Sequence, residues 1–154
     1  MAQKLSCLQL YLWIKSLSMK TKALGLLNNS HPQYSADLGF CDLLSEDADL
    51  IAQFIAKNPL QTLSLVGNRF NKQAIARIIT IINSKSELKE LSIDFGLSWQ
   101  NWAIRRFMST SHHLEKLELH IPYLTQAFVK HLIGGLKKND QITSFSITAN
   151  VVND

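Results

Sequence analysis

From Leu60 the chain reads LQTLSLVGNRF, and the same spacing of apolar residues returns as LKELSIDFGLS from Leu88, LEKLELHIPYL from Leu114 and ITSFSITANVV from Ile142. Successive copies therefore start about 27 residues apart, a period typical of solenoid repeats. The unit is too irregular for an amphipathic helix and too long for one strand, so its recurrence constrains the fold more than any single motif does. Two degraded copies extend the series backwards. SADLGFCDLLS from Ser35 keeps Leu38 and Phe40, and LSCLQLYLWIK from Leu5 keeps Leu5, Leu8 and Leu10, which makes about six copies.

Between copies the apolar period changes. In NKQAIARIITIINSK, Ala74, Ile75, Ile78, Ile79 and Ile82 fall on one helical face at spacings of three and four. Each unit therefore reads strand, turn, helix. Ser45 before Glu46 and Asp47, Ser98 before Trp99 and Thr125 before Gln126 are expected N-caps that satisfy first-turn amides. Lys57-Asn58-Pro59 and Lys137-Lys138-Asn139 are expected helix stops.

Such a unit makes one coil of a solenoid. Residues such as Leu63 and Leu65 point inward from a short strand, the helix packs its apolar stripe on the same core, and the next strand begins beside the last. At the ninth position of the unit, a side-chain amide can bond backbone groups that a turn would leave unpaired. Asn68 and Asn150 fill that position, whereas Gly96 and Pro122 stand there in the other two clear copies, so an asparagine ladder cannot be continuous.

The pattern LxxLxLxxN, repeated with a full helix in each unit, resembles the leucine-rich repeats of the ribonuclease-inhibitor-like class from about Leu5 to Val152. That class also occurs in innate-immune receptors, Ran GTPase-activating proteins and bacterial effectors. The resemblance implies an α/β fold: a right-handed horseshoe segment with a parallel sheet on the concave face and helices on the convex face. One domain, residues 1–154, is expected, and NNSHPQYS from Asn28 to Ser35 reads as an inter-repeat loop. The scaffold itself does not specify what is bound.

With a formal charge of +4 spread over dispersed basic residues, the chain has no stripe suited to nucleic acid. It has no uninterrupted apolar run near the roughly 18 residues a spanning helix needs, so no membrane partner is expected. LQLYLWI after Lys4 is interrupted by Gln9 and lacks a small-residue cleavage site, and a first strand is preferred to a signal peptide. The two cysteines, Cys7 and Cys41, are expected at outward strand positions beyond disulfide reach, as free thiols in a reducing, cytoplasmic compartment.

Outward strand residues, free of the packing that constrains the leucines, form three columns across the sheet. The first is Cys7, Asp37, Thr62, Glu90, Lys116 and Ser144; the second Gln9, Gly39, Ser64, Ser92, Glu118 and Ser146; the third Tyr11, Cys41, Val66, Asp94, His120 and Thr148. From these, the expected partner-binding residues are Tyr11, Val66, Glu90, Asp94, Lys116, Glu118, His120 and Thr148. Glu90, Asp94, Lys116, Glu118 and His120 should cluster on two neighbouring strands, either as a recognition patch or as solvated charge pairs. No ligand spacing supports a metal, and no cofactor is expected.

In SWQNWAIRRFM, Trp102, Ala103 and Phe107 are expected in the core, while an exposed Trp99 would mark a contact surface. His112 and His113 read as loop residues. Either terminal strand would offer unpaired backbone groups to a second copy, giving a homodimer, unless further repeats cap it. No phosphate loop, nucleophile elbow or catalytic carboxylate pair emerges, so the chain reads as a noncatalytic module that binds another protein through its concave sheet and adjacent loops. The alternative is a bacterial effector or regulator, delivered into a host cell, that docks on a host enzyme.

Overall fold

A computed structural model describes residues 7–95 and 101–150 of the chain. Among them are five helices, α1 (Cys7–Leu27), α2 (Ala48–Lys57), α3 (Lys72–Ile82), α4 (Asn101–Thr110) and α5 (Gln126–Leu136). They alternate with five strands, β1 (Ser35–Asp37), β2 (Thr62–Ser64), β3 (Glu90–Asp94), β4 (Lys116–Tyr123) and β5 (Ser144–Asn150). The strands form one sheet in the order β1-β2-β3-β4-β5, parallel throughout.

The leucine pattern produces this register directly. Leu63, Leu91, Leu117 and Phe145 stand opposite one another on successive strands, as do Ile93, Leu119 and Ile147 on the last three. They join one core with Ile51, Phe54 and Ile55 of α2, Ile75, Ile78 and Ile82 of α3, and Ile104, Phe107 and Met108 of α4. Burying the large apolar side chains of every unit in one continuous core is the main stabilising term. Phe95 and Phe107 extend it with ring centroids 5.7 Å apart. Gly135 lets α5 approach α4 closely, since a Cβ there would lie 2.5 Å from Met108 Cβ.

The caps agree in part with the sequence. Thr125 accepts the Phe128 N–H at 3.2 Å, and Asn71, outside the expected set, caps α3 by accepting the Ala74 N–H at 2.9 Å. Ser45 instead begins a short 3-10 turn, Ser45–Asp47, and its hydroxyl accepts the Asn71 N–H at 2.7 Å. It links two units rather than capping its own helix. The expectation for Ser98 lies outside the described residues.

The helix stops are built on buried asparagines. Asn58 donates to the Phe54 carbonyl at 2.8 Å and accepts the Gln33 N–H at 2.8 Å. Asn139 donates to the Met108 and Ser111 carbonyls at 2.7 and 3.1 Å and accepts the N–H groups of Gln141 and Ile142 at 3.0 and 3.2 Å. The Asn58 amide closes α2 and ties it to the chain before β1, whereas the Asn139 amide ties the open end of α4 to the chain that follows α5, in both cases satisfying carbonyls that a helix end leaves open. Residues 28–34 connect α1 to β1 as the expected loop.

Two expectations are corrected. LSCLQLYLWIK is not a first strand: from Cys7 it lies in the 21-residue α1. No glycine, proline or asparagine interrupts the chain from Cys7 to Leu24, and its Leu, Lys, Met and Ala residues favour helix. Consequently the sheet has five strands rather than six among the described residues, and Tyr11 and Cys7 lie in a helix, not on the sheet. Ala23 and Leu27 of α1 are buried in the core, and Lys20 pairs with Asp47 at 3.1 Å.

The second copy is also displaced, by two positions. Ser35 stands opposite Thr62, Ala36 opposite Leu63 and Asp37 opposite Ser64. The small Ala36 fills a position held by leucine in later units, which hides the register from the sequence. Phe40 is therefore not inward: it is 70% exposed, at φ 54°. Gly67, its equivalent when this register is continued past the strands, has φ 74°. The same left-handed turn thus follows β1 and β2, made by glycine in one and tolerated by phenylalanine in the other.

Candidate functional site

The helices cover one face of the sheet, and the other face carries the outward residues. In register these are Thr62, Glu90, Lys116 and Ser144 in one row, and Ser64, Ser92, Glu118 and Ser146 in the next. A third row, Asp94, His120 and Thr148, crosses β3, β4 and β5.

The structure brings most of the expected site residues together. Lys116 Nζ pairs with Glu90 at 3.3 Å, with both side chains about half exposed, so the pair contributes at most about 1 kcal/mol. Glu118 is held from two sides: Ser92 donates its hydroxyl to Oε2 at 3.0 Å, and His120 Nε2 lies 3.0 Å from Oε1. The histidine bond, then the serine bond, holds the Glu118 carboxyl below the usual carboxylate range.

Asp94 differs in kind. Its Oδ2 accepts the Gly67 N–H at 2.6 Å, yet burial pushes its carboxyl above the usual range, against that bond and the nearby His120. It lines an open pocket of about 340 Å³ at the C-terminal ends of β3, β4 and β5, together with Asn68, Phe95, His120, Ile121, Pro122, Thr148 and Ala149. Pro122 shapes the rim. Ile121 faces Ala149 while Tyr123 faces Asn150, so the ladder shifts around a residue that has no N–H to donate.

Asn68 builds the turn beside this pocket. Its amide donates to the Leu38 and Leu65 carbonyls at 2.8 and 2.9 Å and accepts the Leu43 N–H at 3.0 Å, as expected of an asparagine at the ninth position. Cys41 is its counterpart in the preceding unit. The sequence register puts this thiol on the outward face, but it is buried and free, with Sγ 3.3 Å from the Gly39 carbonyl. Burial, then Asp37, raises its pKa above the ordinary thiol value, the opposite of what a reactive thiolate requires.

Val66 is a further correction. It is 6% exposed rather than part of the open face, because β2 has ended at Ser64 and the chain from Leu38 to Phe40 runs alongside, with Phe40 donating its N–H to the Val66 carbonyl at 2.7 Å. Thr148 is exposed, at the pocket's edge. Tyr11 lies in α1. Trp99 and the side chain of Trp102 are outside the described residues, while Phe107 is buried as expected. His113 is half-buried with Nε2 unpartnered, and burial lowers its pKa. Among the described residues no three His, Cys, Asp or Glu side chains gather as metal ligands, and no helix is long and apolar enough to cross a membrane. In comparisons with known proteins, no family model matches the chain and no curated sequence matches it significantly.

Proposed function

We propose that the chain is a leucine-rich-repeat solenoid segment that acts as a noncatalytic module, binding another protein through the open, concave face of its sheet. The observation that carries this reading is the alignment of outward polar residues, row by row, on successive parallel strands. These side chains lie outside the packed core, so they are available for recognition. The paired strands recur at a nearly constant offset along the chain, and Cys41 and Asn68 share the ninth position of their units. A flat polar face suits a protein surface better than an enclosed substrate.

The test is capture of partners by the immobilised chain, with identification by mass spectrometry and comparison of Lys116→Ala and Glu118→Ala with Arg77→Ala on a helix. The two open-face substitutions should weaken retention of the same partner while leaving the circular dichroism spectrum unchanged, and the helix substitution should leave retention as it was. Retention unaffected by both open-face changes would sink the assignment. Small-angle scattering should show a curved particle; a spherical one would refute the solenoid.

A further inference from the structure

The pocket at the ends of β3, β4 and β5 combines a desolvated carboxylate with apolar walls. Asp94 supplies the charge, while the partly exposed Pro122 and Ala149 supply carbon surface over the buried Phe95 and Ile121. No lysine or arginine lines it among the described residues, although the chain as a whole has a formal charge of +4. The local sign therefore opposes the global one.

The neighbouring carboxylates do not share this situation. Glu90 already has Lys116, and both oxygens of Glu118 are engaged by Ser92 and His120. Asp94 has backbone N–H groups of the Gly67-Asn68 turn and, as a nearby titratable counter-group, His120. Taking a carboxylate out of water without a matched cation costs free energy, which an arriving cation would recover.

We propose that this pocket receives a lysine or arginine side chain of the protein partner, with the cationic head against Asp94 and the methylene stem along Pro122 and Ala149. Long basic side chains bury their stems against apolar surface while the charged end finds a partner. A volume of about 340 Å³ open on one side accommodates such a side chain while its backbone remains outside on the sheet face. His120 lines the same pocket beside Asp94, and its own bond to Glu118 turns its Nε2 toward the sheet row. The proposal rests on the reading of the open face as a protein-binding surface and assigns one chemistry within it.

The experiment uses the full chain and fluorescein-labelled decapeptide pools whose central residue is lysine, arginine, norleucine or glutamate, the other positions being uncharged. Anisotropy titrations should show the lysine and arginine pools binding about tenfold tighter than the norleucine pool, with the glutamate pool weakest. Asp94→Asn should abolish that preference with the circular dichroism spectrum unchanged, since an asparagine oxygen can still accept the Gly67 N–H. Glu115→Gln, which removes a partner of Lys89 elsewhere, should preserve it. Equal binding of lysine and norleucine pools, no binding of any pool, or a preference that survives Asp94→Asn overturns the proposal. Free arginine binding as tightly as the arginine pool also overturns it, in favour of a small-molecule site. These outcomes leave the broader reading intact, which falls only if open-face substitutions fail to release a captured partner.

Discussion

The Asp94 carboxylate accepts the Gly67 N–H at 2.6 Å, joining the end of β3 to the left-handed turn of the preceding unit. The bond places an acid where burial works against its ionisation, and stability should follow pH accordingly. A raised folded-state pKa contributes stability that is fully present below the unfolded value, about 3.9, and is lost as pH rises through the folded value. Asparagine cannot ionise and avoids that loss. Asp94→Asn should therefore melt above the wild type at pH 7, and the two should converge toward about pH 4. A variant that melts lower by the same margin at every pH would show that the Gly67 bond, and not desolvation, dominates.

Phe40 and Gly67 occupy equivalent left-handed turns, and the Phe40 ring lies over the glycine, where a Cβ would collide with Cδ1. Gly67→Ala should cost about 1–2 kcal/mol from the backbone alone, read as a lowered chemical-denaturation midpoint. Phe40→Gly should be neutral or stabilising, because it relieves positive φ while removing a ring that is 70% exposed. Equal losses from both changes would mean that the ring contact matters more than the backbone.

Asn139 is buried and makes four bonds to the backbone of neighbouring segments. Replacing it with alanine strands several of those groups, and Asn139→Ala should destabilise by about 2–4 kcal/mol. Thermal or urea melts would measure this. A transition indistinguishable from the wild type's would mean that water replaces the amide.

His113 has its pKa lowered by burial and, second, by Lys89. A depressed histidine contributes stability that is present above the unfolded value, about 6.5, and is lost as pH falls through that value toward the folded one. The wild-type melting temperature should drop across this acidic window, and His113→Gln should flatten that segment of the profile. An unchanged slope would assign the dependence to another group.

The later strands were legible in the sequence because four copies place leucine, isoleucine or phenylalanine at the same offsets, and each must face the core for the next to do so. The cluster of Glu90, Asp94, Lys116, Glu118 and His120 followed from that register, since residues between inward leucines face the other side. The helix stops were legible too, in Asn58 and Asn139, although the inter-unit bonds that make them matter were not.

What tertiary structure decided lies where local pattern is ambiguous. LSCLQLYLWIK carries the apolar spacing of the strand copies, yet α1 is distinguished by a run without a break and by the burial of Ala23 and Leu27 far along it. At Ala36 the short side chain carries no periodic signal, so only the hydrogen-bonded pairing with β2 reveals the register. Cys41 joins the core, and Val66 is buried beyond the end of β2, both outside the regular strand alternation. Apolar spacing thus determined which segments repeat, while the register at Ala36 and the burial of Val66 depended on neighbours distant in the chain. A local pattern specifies one side of an element, but its burial requires something packed against that side.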